Sequence, residues 1–505
     1  MHDPDAIIAT RSLTYSYPSS DRPALNHLDL EIRAGEYVAV LGANGSGKST
    51  LLKLIVGLLK PDVGTVRVCE NEDSARFRRS IATVLQNPDD QIVATVAEED
   101  VAFGPENLGL APEEIERRVT SALRAVGLEG SRRKPPHFLS GGERQRLSLA
   151  GALAMEAPIL ALDEAASMLD PAGRDAMLEL LDSFIKNGKT ILHVTHSMEE
   201  ASRARRVVVL DHGCLVFDGT PADLFARPEL ELWGLELPQA LVCACALKAR
   251  GAVFNPSHLD PEGFASDLAI YLKHEPLSEP LVSGIPISVT AQHRHSAPAV
   301  SILRFENVAH TYMRGTAFSA TAIKGINHSF HRSSSTAIIG PSGSGKSTLL
   351  RHGNAVLLPQ EGRVLVFGND TLDPAVKLQP LRMRAALSVQ NPEAALFSRY
   401  VADDVAYGPK NKGLTGNELV STVRSAMDQS GLPYAEYRDR DTSSLSGGEK
   451  RKAALAGVFA LDAELYLLDE PSAALDPASR RLLLERMLRL REKGTSLIAT
   501  THSME

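Results

Sequence analysis

A chain of 505 residues is too long for one hydrophobic core and divides into two or more domains. Its 43% hydrophobic and 23% charged residues are those of an ordinary globular protein, and 54 basic against 62 acidic side chains leave a net charge of −8, which argues against a general nucleic-acid binder. Four scattered cysteines (Cys69, Cys214, Cys243, Cys245) exclude a disulfide framework and fit reduced cytoplasmic thiols, no stretch approaches the roughly 20 apolar residues that span a bilayer, and the acidic start MHDPDAIIATRS is not a signal peptide.

In chain order, residues 10–18 (TRSLTYSYP) alternate as an edge strand does. Residues 36–42 (EYVAVLG) form a buried parallel-type strand that runs into residues 42–50 (GANGSGKST) and then a helical apolar stretch. Strand, glycine loop and helix in that order are the setting of a phosphate-binding loop. Backbone N–H groups along Gly42, Asn44, Gly45, Ser46, Gly47 and Thr50 would cradle phosphates, Lys48 would reach the β and γ phosphates, and Ser49 would hold Mg²⁺. In residues 83–110 (TVLQNPDDQIVATVAEEDVAFGPENLGL), Gln86 ends an apolar run with a side-chain carbonyl suited to Mg²⁺ or an attacking water. Asp89, Asp90 and residues 98–100 are expected to be a solvated acidic face that meets a basic partner, in preference to a metal site.

Residues 111–138 are expected to be helical and lead into residues 139–146 (LSGGERQR). There Ser140 caps a helix and Glu143 closes a capping box, while Gly141 and Gly142 let a backbone approach something closely. The free N–H groups of a helix start favour an anion, although one copy of the motif is equally satisfied as a cap. Residues 157–171 (APILALDEAASMLDP) are an apolar strand tipped by two carboxylates, which need a cation or donors. Asp163 is assigned to Mg²⁺ and Glu164 to orienting and activating water. The strand in residues 190–200 ends at His196, in itself an ordinary position; its offset to His502 and the family resemblance given below imply that it would hydrogen-bond the γ-phosphate and the water. Residues 205–225 form two strands joined by DHGC and a helix start.

The same order recurs. Lys48 and Lys346 are 298 residues apart, Gln86 and Gln390 304, and Ser140 and Ser446, Asp163 and Asp469, and His196 and His502 all 306, a tandem duplication. The second copy carries Gly340, Ser342, Gly343, Ser344, Gly345, Lys346, Ser347 and Thr348 in its phosphate loop. Ser446, Gly447 and Gly448 form its capping motif, Asp469 and Glu470 its carboxylates, and Ser347, Gln390 and Asp469 its Mg²⁺ groups. Between the copies, residues 236–251 are expected to be a helix, with Cys243 and Cys245 in core packing and not a metal site. The proline-rich stretch after it is expected to be a linker, and His293 and His295 within it to be solvated. Glu505 corresponds to Glu199, so either the chain is incomplete or the second copy lacks its final strands.

LSGGE, repeated after two phosphate loops, resembles the signature of the ATP-binding-cassette (ABC) ATPases, in which one cassette's signature completes the other's nucleotide site. QNPDDQ followed by DVAFGPENLGL, echoed in residues 389–414, resembles the ATPases of energy-coupling-factor (ECF) transporters, including cobalt-type subunits. The resemblance implies an α/β fold of two tandem P-loop domains, each with a RecA-like core, an antiparallel β portion and a helical signature subdomain. Residues 1–225 and 301–505 would be the cassettes and 226–300 an appendage helix and linker. Tyr17 and Tyr312 would stack on adenine. Lys48, Ser49, Gln86, Asp163, Glu164 and His196 would face Ser446, Gly447 and Gly448, while Lys346, Ser347, Gln390, Asp469, Glu470 and His502 would face Ser140, Gly141 and Gly142. Asp170 would belong to the loop between cassettes, and Ala165 stands where most cassettes have proline, as the second copy does at Pro471.

The implied function is Mg²⁺-dependent ATP hydrolysis at the cytoplasmic face of the membrane. It would drive uptake of a vitamin, vitamin precursor or transition-metal ion through a transmembrane coupling subunit and a substrate-binding membrane subunit. A soluble tandem ABC ATPase acting on ribosomes is the alternative, but it calls for a basic helical linker, and residues 221–300 carry nine acidic and five basic side chains with many prolines.

Overall fold

The computed structural model describes residues 6–18, 22–69, 79–167, 169–249, 253, 254, 256, 258, 259, 261–274, 300–316, 318–473 and 475–501. Among the described residues the first copy holds nine strands: β1 (Ala6–Tyr15), β2 (Leu25–Arg33), β3 (Tyr37–Leu41), β4 (Val63–Val68), β5 (Ile81–Val84), β6 (Ile159–Asp163), β7 (Thr190–Val194), β8 (Arg206–Asp211) and β9 (Cys214–Gly219). They form an antiparallel sheet β2-β1-β4 and a six-stranded sheet β5-β6-β7-β3-β8-β9, parallel except for β9. Every residue of β3, β6 and β7 is buried, as continuous apolar strands covered on both faces must be.

The pleat divides the core in two. Val38 and Val40 of β3 and Ile159 and Ala161 of β6 pack with Leu13, Ile32, Leu52 and Ile55, under the antiparallel sheet and the phosphate-loop helix. Their alternates Tyr37, Ala39, Leu41, Leu160 and Leu162 pack with Leu147, Leu178 and the helical subdomain. A single sheet therefore couples the nucleotide-side layer to the signature-bearing helices.

The second copy repeats the plan with β10 (Ser301–Tyr312), β11 (Ala320–His331), β12 (Ser335–Ile338), β13 (Glu361–Val366), β14 (Asn369–Asp370), β15 (Ala385–Ser388), β16 (Leu465–Asp469) and β17 (Ser496–Thr500). Its parallel sheet runs β12-β17-β16-β15, the order of β3-β7-β6-β5, beside an antiparallel sheet β11-β10-β13-β14.

Several expectations are corrected. β1 is the centre of its sheet and not an edge, because both of its sides pair; alternation reports one buried face and says nothing of the flanks. The helix expected over 111–138 is Pro112–Ala125, followed by short 3₁₀ turns at Glu129–Ser131 and Pro136–Phe138. Cys243 and Cys245 are exposed, whereas Ala240, Ala244 and Leu247 of the helix Gln239–Ala249 are buried, so helical spacing turns the cysteines outward. Past this helix the expected linker contains another, Pro261–His274, whose Phe264, Leu268 and Tyr271 pack with Phe254, Ala244 and Leu247. His293 and His295, and the prolines from 276 onward, lie outside the described residues.

Leu162 is fully buried in β6, one residue before the carboxylates. Leu162→Ala is expected to destabilise the chain by about 2–5 kcal/mol, read by urea titration.

Candidate functional site

Both phosphate loops stand at the carboxyl end of a parallel strand, β3 inside its sheet and β12 at the end of the described four-stranded one, where open α/β sheets bind ligands. Gly47 closes the first loop as N-cap of the helix Lys48–Ile55, at φ +105, and a Cβ there would lie 2.5 Å from Ala24 O. Gly345 repeats this at φ +92, with 2.4 Å to Ala322 O. Only glycine meets both constraints, so the loop backbone turns its N–H groups into the cradle unobstructed. The buried Lys48 Nζ donates to Gly42 O and Ala43 O at 2.9 Å, and Lys346 Nζ to Gly340 O at 2.7 Å and Pro341 O at 2.9 Å. Burial lowers the pKa of both ammonium groups. Phosphate oxygens in the cradle would draw each ammonium from these carbonyls, since an ionic acceptor is the stronger one.

Five expected groups of the first copy meet at the end of β6. Ser49 Oγ donates to Asp163 Oδ1 at 3.0 Å, Gln86 Nε2 donates to Glu164 Oε2 at 2.7 Å, and His196 Nε2 lies 2.7 Å from Glu164 Oε1. Burial, with Glu164 beside it, pushes the Asp163 carboxyl up to about 7. Burial also works on Glu164, but His196, Lys48 and Gln86 outweigh it and hold that carboxyl below its usual range. The two neighbours are thus pushed apart: one oxygen set poised for a hard cation, one carboxylate kept ionised to accept a proton. Ser49 and Asp163 supply the oxygen donors that Mg²⁺ takes, so they fit the ion and would hold it against the phosphates. The backbone at Glu164 is left-handed, φ +49, and is fixed by its N–H donating to Val194 O at 2.9 Å. That strain holds the carboxylate off the strand axis and toward Gln86.

The second copy is close to the first but not identical. Gln390 Nε2 donates to Glu470 Oε2 at 3.2 Å, and Glu470 has φ +47. Asp469, raised by burial, accepts from Thr500 Oγ1 at 2.7 Å. His502 lies outside the described residues. The aromatics Tyr17 and Tyr312 stand beside the loop helices, their hydroxyls 3.3 and 3.2 Å from Thr50 Oγ1 and Thr348 Oγ1.

Both signatures form the expected capping box: Ser140 with Glu143, and Ser446 with Glu449. The glycines lie against the opposite copy. A Cβ on Gly448 would be 2.0 Å from Asn44 Nδ2 and one on Gly447 2.8 Å from Gln86 Oε1, while one on Gly141 would be 3.9 Å from Gln390. The first phosphate loop is therefore the more tightly faced of the two. Asp170 Oδ2 accepts from Ser342 N at 3.1 Å, and Asp476 Oδ2 from Asn44 N at 3.3 Å, each across the interface. Asp476 had not been singled out from the sequence; its match to Asp170, 306 residues away, was the available signal. The acidic stretch is reassigned in part. Asp100 accepts from Val93 N and Ala94 N, Glu98 pairs with Arg132, and Asp89 pairs with Arg144 at 2.9 Å, so these serve the local fold; among the described residues no group of three or more such side chains is placed to hold a metal.

A profile of the ABC transporter family matches residues 25–167 and 323–473. The chain is 35% identical to a "Putative ABC transporter ATP-binding protein" of Bifidobacterium longum over 98% of its own length and 63% of that protein's, so it spans less than two thirds of that relative. A protein of the same description from Methanosarcina mazei is 33% identical over 99% of this chain and 85% of its own. The structure of cbiO1 from Clostridium perfringens, described as part of the ABC transporter complex cbiONQ, is similar at 34% identity and a TM-score of 0.41, covering 48% of this chain and 99% of that one.

A proton and a divalent cation compete for Asp163, whose carboxyl titrates near 7. Mg²⁺ affinity at this site is expected to fall about tenfold per pH unit below that point and to level off above it. Calorimetric Mg²⁺ titration of the chain loaded with a non-hydrolysable ATP analogue across pH 5.5–8 (roughly the window around this pKa) measures it, and Asp163→Asn should remove the first site's share of the pH dependence.

Proposed function

The chain belongs to the ABC transporter family, whose cassettes bind and hydrolyse ATP, and we propose that it is the energy-coupling ATPase of an ECF-type importer. In this reading it lies on the cytoplasmic face of the membrane, bound to a transmembrane coupling subunit and a substrate-binding membrane subunit. The cargo class is a vitamin, a vitamin precursor or a transition-metal ion.

One observation carries the reading beyond a generic cassette. Directly after each Gln86/Gln390 loop, in the segments that resemble ECF ATPases, matched positions expose large apolar side chains. Val93 and Phe103 are 61% and 51% exposed; Phe397 and Tyr407, each 304 residues on, are 66% and 53% exposed. The latter pair stack edge to face with centroids 4.7 Å apart. Apolar side chains left in water at the same place in both copies, beside the groups that touch the nucleotide, mark a surface made to be covered. No helix among the described residues is long and apolar enough to cross a membrane, so a membrane partner would have to supply the covering segment. A ribosome-acting role leaves these four side chains without a purpose.

ATP would act as a clamp between head-to-tail cassettes, its phosphates held by one loop and the facing signature. Gln86 and Gln390 bond the carboxylates, and the chain runs on from each into the exposed patch, so closure at the nucleotide would be felt by the partner. Loss of the γ-phosphate would release the two halves.

If Glu164 and Glu470 each activate water, Glu164→Gln and Glu470→Gln will each lower ATP turnover by about 10²-fold or more while ATP binding persists. A substitution without effect on turnover removes the role from that site. For the partner, the chain is used as bait on detergent-solubilised membranes of its source. Recovery of a polytopic membrane protein with a second, substrate-binding one is expected, and Phe103→Asp with Tyr407→Asp should abolish it. Recovery of ribosomes alone would replace the importer reading.

A further inference from the structure

Between the two cassettes lies a cavity of about 70 Å³, bounded by Gln86 and Ser167 of the first copy and Gln390, Asn391, Arg451 and Glu470 of the second. One water needs about 10–15 Å³ measured this way, so the space takes several waters or one tetrahedral oxyanion. Its charged lining is mixed, Lys450 and Arg451 against Glu393 and Glu470, and Arg451 is left incompletely paired. Arg451 is 4% exposed; one terminal nitrogen donates to Val389 O at 3.1 Å, and its Nε has no partner among the described residues. Ser167 Oγ is also buried and without a hydrogen bond there. Gln145, 306 residues earlier, is the matching residue of the first copy and is neutral. A buried guanidinium with an unused donor is costly unless an anion or several dipoles complete it. Burial lowers its pKa to about 10, which leaves it charged at neutral pH.

We propose that this cavity is a binding site for inorganic phosphate, where the phosphate released at the second nucleotide site lodges against Arg451 before it leaves the interface. The planar guanidinium suits a tetrahedral oxyanion, because it offers parallel donors to two oxygens at once. Dihydrogen phosphate also brings two O–H donors, which carboxylates on the wall accept. Glu470 is one such carboxylate; Glu393 is already engaged by Lys450 and by Asn87 Nδ2 at 3.1 Å. Gln390 and Glu470 belong at once to the second site and to the cavity wall, so the phosphate has no intervening layer to cross. Gln86 brings the first site to the same cavity, and with Gln145 in place of an arginine the first copy adds no second guanidinium, so one harbour stands between the two sites. The inference rests on ATP hydrolysis by the cassettes and is independent of the importer reading, since its test uses neither membrane nor transport.

The test is calorimetric titration of inorganic phosphate into the full chain carrying Lys48→Ala and Lys346→Ala, which weaken phosphate binding in the loops. Saturable binding of one phosphate per chain is expected. Arg451→Gln, the residue the first copy uses, should weaken it at least about tenfold, as loss of a charge-assisted bidentate pair does. Ala473→Leu, which fills the cavity from the opposite wall and leaves Arg451 in place, should do the same. Absence of saturable phosphate binding, or binding unchanged by both substitutions, would overturn the proposal.

Discussion

Each half of the molecule reads the other through an aspartate that faces two ways. Asp170 Oδ1 accepts from Gly173 N at 2.9 Å and so caps its own helix, while Oδ2 accepts from Ser342 N of the opposite phosphate loop. Asp476 does the same with Ser479 N at 2.7 Å and Asn44 N. The cap holds each carboxylate rigid, so a shift of the opposite loop is met by a fixed acceptor instead of a mobile side chain. Burial works against the charged form of Asp476, yet the Ser479 amide and nearby cations keep its pKa below the usual carboxylate value. Two such cross contacts are worth about 1–3 kcal/mol together. That is enough to set register between cassettes and too little to hold them shut, so in the proposed clamp closure would fall to the phosphates of ATP.

The duplication is symmetric in plan and unequal in detail. Gly447 and Gly448 press on Gln86 and Asn44, whereas Gly141 stands 3.9 Å from Gln390. Glu164 has Gln86 at 2.7 Å and Glu470 has Gln390 at 3.2 Å. Asp89 pairs with Arg144 within its own copy, but Glu393 joins both Lys450 and Asn87 of the other copy. Arg451 answers to Gln145 in sequence, a charged residue against a neutral one. Two sites built from the same parts therefore meet different electrostatic surroundings, which gives a fused pair a direction that two identical cassettes lack.

The chemistry was legible because it is carried by local pattern. A phosphate loop needs glycines where φ is positive and a side chain would strike backbone, and a strand can end in two carboxylates only where something completes them. Gln86, Glu164 and His196 lie far apart in sequence, yet the structure gathers them within 2.7 Å contacts of one carboxylate. What pattern misjudged was the neighbourhood. Alternation in β1 does not reveal partners that come from residues 25–33 and 63–68; the composition around Cys243 and Cys245 hides which side of a helix they occupy; and a proline-rich stretch reads as linker although one of its prolines, Pro261, begins a helix.

The sequence by itself determined the duplication and, in each copy, the phosphate loop, the capping motif and the strand tipped by two carboxylates. These follow from backbone geometry and spacing, which act over a few residues, whereas the head-to-tail facing of the signatures is what the resemblance to the ABC ATPases implies. Only the tertiary structure decided which signature closes more tightly, how Asp476 engages Asn44, and that a guanidinium is left incompletely paired beside Glu470. Such facts depend on burial and on partners hundreds of residues away, and the energy of a charge is set by what surrounds it, not by where it stands in the chain.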